Sequence, residues 1–150
     1  MNEGKRFIIF HIQGDRYALP LDKVAVVVEP PPIYPIPRSP ECFIGGINFH
    51  GGIVALFDLA LLIGTDVATT WGKVIVFDRR FGNLALMVES VEAIFNEEVI
   101  LEEDVADSEL LEKVLVMADG SVRLLDVELI VEKLEELIGS IGTSVDQPEN

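Results

Sequence analysis

Apolar and polar positions alternate between two patterns along this chain. Phe7–Phe10 (FIIF) and Val74–Phe77 (VIVF) are continuously apolar and rich in β-branched and aromatic residues, the composition of strands. Turn residues follow, GDR in one case and RFGN in the other, and the chain returns as YALPL and LALMV. Each pair predicts a β-hairpin. Further strands are predicted at Val24–Glu29 and Val91–Phe95, and IVALF and VRLLD close each set. Helical periodicity predicts one turn at Leu59–Ile63 and a helix over Val127–Ile138, where apolar residues at 127, 130, 131, 134, 137 and 138 share a face. Gly139 is expected to end that helix, leaving 139–150 as a flexible tail. The acidic stretch DVADSELLEKV is expected to hold a helical turn with its charges in water.

The elements repeat. A displacement of 67 residues lays FIIF on VIVF and YALPLDKV on LALMVESV without a gap, and a displacement of 68 lays GIVALFDLALLI on GSVRLLDVELIV. Two matched units of four or five strands predict a mainly β fold, a pair of small barrels packed together within one domain. The first unit spans about 6–64 and the second about 73–138, with exchange of a strand or helix between them left open. Six of the eight prolines fall in PPPIYPIPRSP, residues 30–40, which cannot form a central strand. This segment reads as a stiff connection pinned by Ile33, Tyr34 and Ile36, with a ligand for a proline-reading module as the alternative.

Composition narrows the function. The single cysteine, Cys42, cannot form an internal disulfide, and the start of the chain lacks a signal-peptide pattern. No run is apolar for long enough to span a bilayer, so a cytoplasmic protein without direct membrane insertion is expected. The net charge of −15 is uneven. Residues 1–72 hold 5 Lys/Arg against 7 Asp/Glu, a balance of −2, and residues 73–150 hold 6 against 19, a balance of −13. Such a field repels phosphate backbones, which argues against nucleic acid and favours a basic protein surface.

Candidate chemistry is sparse. Asp58 and Asp126 occupy equivalent places in the repeat, which raises an acid/base dyad of the aspartic-protease kind. Their neighbours, Leu59-Ala60 and Val127-Glu128, lack the small hydroxyl residue and glycine that such a dyad needs, so each is read as a helix cap. His11 and His50 lie near no nucleophile motif, and two separated histidines with one cysteine do not match zinc spacing. The run EEVILEEDVADSE lacks the pattern of a calcium loop. Neither a metal nor a cofactor is expected, and GGINFHGG matches no phosphate-binding loop.

From about Arg6 to Leu137 the chain resembles the CheW-like domain of bacterial chemotaxis. The resemblance rests on FHIQGDRYALPLDKVAVVVE, IYPIPRSPECFIGGINFHGGIVALFDL and VIVFDRRFGNLALMVESVEAIF, and Gly46, Asn48, Gly51, Asp58 and Leu59 fit the family's central signature. It implies two five-stranded SH3-like barrels around a shared core and an adaptor without catalysis. That adaptor would link the cytoplasmic tip of a chemoreceptor to the regulatory domain of the histidine kinase CheA, with a divergent assembly or surface-motility protein as the alternative. The partner surface implied for this chain comprises Val24, Val26, Gly45 and His50, with Ile33 beside them. His50 stands where many relatives carry arginine, Ala55 where proline is common, and Val26 where some carry an acid.

Overall fold

Strands dominate because the apolar runs are buried on both faces. The computed structural model describes residues 4–146 apart from Asp66 and Asp107. Its first half contains β1 (Arg6–Ile12), β2 (Asp15–Pro20), β3 (Val24–Val28), β4 (Ile33–Tyr34), β5 (Phe43–Phe49), β6 (Gly52–Asp58) and α1 (Leu59–Leu62). The second contains β7 (Lys73–Phe77), β8 (Leu84–Val88), β9 (Ser90–Asn96), β10 (Glu102–Val105), β11 (Leu111–Met117), β12 (Gly120–Leu125) and α2 (Val127–Asp146).

These strands form two six-stranded sheets, ordered β10-β11-β12-β2-β1-β9 and β3-β7-β8-β6-β5-β4, each an SH3-like barrel. The expected five strands per barrel become six through two short edge strands. β4 is a two-residue strand in the proline-rich segment, at the edge where a missing N–H is tolerated. β10 occupies part of the acidic stretch. The helical turn expected in DVADSELLEKV is corrected: β10 ends there at Val105, and β11 begins at Leu111. Pairing β11 with β12 buries Leu111, Leu115 and Met117, and that tertiary gain overrides the local helical preference.

The sheets do not follow the sequence halves. Hairpin β1–β2 joins β9–β12 from the second half, and hairpin β7–β8 joins β3–β6 from the first. The exchange is symmetric. Phe7↔Pro20 in the first hairpin corresponds to Val74↔Met87 in the second, and the parallel pair Arg123↔Tyr17 corresponds to Ala55↔Leu84. Each sheet therefore contains one hairpin from the opposite half.

Three clusters of buried side chains result. On β1, Ile8, Phe10 and Ile12 point into a central core with Phe57, Ile75, Phe77 and Leu86 of the other sheet, while Phe7 and Ile9 fill the interior of their own barrel. Ile47, Val54, Leu56, Val74 and Met87 fill the other barrel. This period-2 alternation between two apolar environments explains why FIIF and VIVF carry no polar positions.

Helix α2 covers the central core with Val127, Ile130, Val131 and Leu134. It continues through Gly139 to Asp146, which corrects the expected end. Gly139 does not take the positive φ of a helix-ending glycine, and an interior glycine costs only about 1 kcal/mol relative to alanine. Residues 147–150 of the expected tail lie outside the described residues. Among the described residues, no helix is long and apolar enough to cross a membrane.

Candidate interaction surface

A groove of about 320 Å³ opens beside the β5–β6 hairpin, between β3, β7 and the loop before β8. Its walls include Val26, Phe49, Val54 and Val76, and its rim includes His50, Arg79 and Asn83. Two local features of the backbone shape it.

The first is the turn. His50 and Gly51 are the two central residues of the β5–β6 hairpin, with φ of +52° and +80°, the paired positive angles of a type I′ turn. The conformation exposes the imidazole and stacks it on Phe49, with ring centroids 4.1 Å apart and planes at 10°.

The second is a β-bulge. β3 pairs with β7 through Val24↔Phe77 and then Val26↔Val76, so Ala25 is the extra residue. A bulge reverses the alternation of side chains. Val24 and Val27 consequently pack on the central core, whereas Val26 and Val28 pack on the barrel's own cluster. Val24 and Val26, which simple alternation would place on one face, are separated.

The same bulge occurs in the duplicate. β9 pairs with β1 through Ile9↔Ala93 and Phe10↔Val91, leaving Glu92 as the extra residue in the place of Ala25. There the face is closed by charge. Arg16 reaches Glu92 at 3.1 Å and Asp119 at 3.4 Å, and His11 Nε2 lies 2.7 Å from Glu92 Oε1. The hydrogen bond from His11, and then that from Arg16, holds the Glu92 carboxyl below the ordinary glutamate value. Under the repeat, His11, Arg16, Glu92 and Asp119 correspond to Asp78, Asn83, Ala25 and Gly51. Asp78 is instead engaged by Arg80, and with small or neutral residues in the other three places no such network forms on the first face among the described residues.

Of the residues singled out from the sequence, Val26 and His50 meet in the groove. Ile33 packs on the same cluster as Val26 and Phe49 but does not line the groove. Gly45 is buried with φ of +152°, and a Cβ there would stand 2.5 Å from the Tyr34 carbonyl oxygen, so it permits the close approach of β4. Arg79 and Asn83 were not found by residue type. The repeat holds the signal, since it sets Asn83 against Arg16, although only the folded duplicate shows what Arg16 does.

Asp58 and Asp126 both accept main-chain hydrogen bonds. Asp58 is 2% exposed; its Oδ1 accepts from Leu61 N at 3.3 Å and from Thr69 Oγ1 at 2.6 Å, and its Oδ2 accepts from Thr69 N at 2.9 Å. Asp126 is half-buried, and its Oδ1 accepts from Leu129 N at 3.2 Å. Among the described residues, no group of three or more His, Cys, Asp or Glu is placed to hold a metal ion. A larger cavity of about 530 Å³ adjoins the start of β1, but its four cations and four carboxylates set no preference of charge, and it contains none of the expected partner residues.

A family model described as CheW-like domain matches residues 6–135. Among solved structures, the scaffolding protein TtCheW from Thermoanaerobacter tengcongensis aligns with a TM-score of 0.71 at 23% identity, covering 82% of this chain and 89% of that one. A comparison with curated proteins found no match.

Proposed function

The chain belongs to the CheW-like domain family, and on that premise we propose that it is a non-catalytic adaptor of a chemotaxis-type array. In this reading it works in the cytoplasm and joins the tip of a chemoreceptor to the regulatory domain of the histidine kinase CheA. The observation that carries the reading is the open groove. An apolar floor containing Val26, with an aromatic and polar rim, suits a helix that buries a few side chains, and the duplicate closes the equivalent face with ion pairs. Two barrels built by exchanged hairpins around one core also make a stiff spacer, so partners on different faces are held at a set separation. The aspartates support a role without catalysis, because each accepts hydrogen bonds from the helix behind it.

The test is a binding titration with a receptor hairpin tip and with the CheA regulatory domain, followed by a kinase assay with all three present. Ala25→Trp places a bulky ring in the groove from an exposed position and is expected to weaken the receptor tip at least tenfold while retaining the kinase domain. Unchanged receptor affinity would refute docking in the groove. Binding of both partners with no effect on kinase control would favour an assembly protein that fills the array without coupling it.

A further inference from the structure

We propose that the partner seated in this groove supplies a carboxylate, held at the rim by Arg79 with His50 beside it. The inference rests on the groove being the docking surface and adds the chemistry of its occupant.

Two observations point to an acid. The groove departs from the charge of the chain: the protein has 26 Asp/Glu against 11 Lys/Arg, yet among the described residues Arg79 lines the groove, with His50 beside it, and no carboxylate does. Arg79 is also exposed and enters no ion pair with a described residue, whereas the adjacent Arg80 donates to the Asp22 carbonyl at 2.7 Å, lies 3.6 Å from Asp78 and sits over the Phe81 ring. The duplicate offers a comparison by chemistry alone, since the repeat sets Arg79 against Ile12 and His50 against Ala118. There the bulge residue is Glu92, and an imidazole and a guanidinium grip it. In the groove the bulge residue is Ala25, which supplies no carboxylate to Arg79 or His50.

The partner is therefore a segment that places an apolar side chain against Val26 and Val54 and an Asp or Glu within one helical turn of it, as residues three or four apart allow. A guanidinium fork suits such a carboxylate because it offers paired donors in one plane. Asn83 adds a neutral amide at the same rim.

The experiment uses the full chain and two fragments of one shape, 4-methylpentanoate and 4-methylpentanamide, titrated while backbone amide signals are followed by NMR. Both are expected to shift Val26, Phe49 and Asn83, with the carboxylate binding about fivefold more tightly. Arg79→Gln is expected to abolish that preference while leaving the affinity for the amide fragment unchanged. Equal affinity of the two fragments for the wild-type chain, or a preference that survives Arg79→Gln, would overturn the carboxylate proposal and leave the groove reading intact. Failure of both fragments to shift groove residues would overturn the groove reading and this inference with it.

Discussion

Replacing Asp58 by alanine separates burial from sequence position, because Asp126 occupies the same place in the repeat and serves as an internal control. Asp58 accepts three hydrogen bonds, two of them from Thr69, which is itself only 4% exposed. Alanine leaves the buried Thr69 N–H and the Thr69 hydroxyl hydrogen without an acceptor and removes the cap of α1. An unsatisfied buried donor costs about 1–3 kcal/mol and a lost cap about 0.5–2 kcal/mol, so Asp58→Ala is expected to cost about 3–4 kcal/mol. Asp126→Ala removes one bond at a half-buried end and is expected to cost about 1 kcal/mol. Asp58→Asn should fall between them, since the amide cannot accept from Leu61 N and Thr69 N at once, and a cost of about 1–3 kcal/mol follows. Urea unfolding followed by far-ultraviolet circular dichroism measures all three. With an m-value of about 2 kcal/mol/M, the two alanine variants should differ in midpoint by about 1 M. Equal midpoints would refute the argument that burial, and not capping alone, determines what each aspartate contributes.

Other consequences are equally direct. Gly72→Ala would set a Cβ 1.7 Å from the Glu89 carbonyl oxygen, and a loss of about 3 kcal/mol or more is expected in the same urea assay. His50→Val forces a β-branched residue to φ near +52° and should cost about 1–3 kcal/mol, while His50→Asn, suited to that turn, should leave the thermal midpoint unchanged or raise it. Glu92→Gln tests the ion network by pH. The folded-state pKa of Glu92 is depressed, so its contribution is present above the ordinary glutamate range and lost as pH falls through the depressed value; the loss of stability between pH 7 and pH 3 should be smaller in the variant.

The groove was partly legible. Val26 and His50 stood out through resemblance, and the paired glycines around Asn48-Phe49-His50 marked a turn. Arg79 and Asn83 did not, because Arg79-Arg80 after a strand reads as a solvated turn, and only the folded duplicate shows that Asn83 stands where Arg16 holds a network. β5 escaped the pattern because Gly45 and Gly46 lower strand propensity; Gly45 is there to admit β4, a contact made only when the proline-rich segment folds back.

The hairpins, the duplication and the amphipathic start of α2 were determined by the sequence alone, since each depends on neighbours within a few residues or on the repetition of one pattern. The bulges at Ala25 and Glu92, the hairpins exchanged between barrels and the side of the sheet taken by Val26 were decided only by tertiary structure. They are properties of pairing between distant strands. One extra residue against a partner strand reverses which faces meet, and no local propensity records which strand that partner will be.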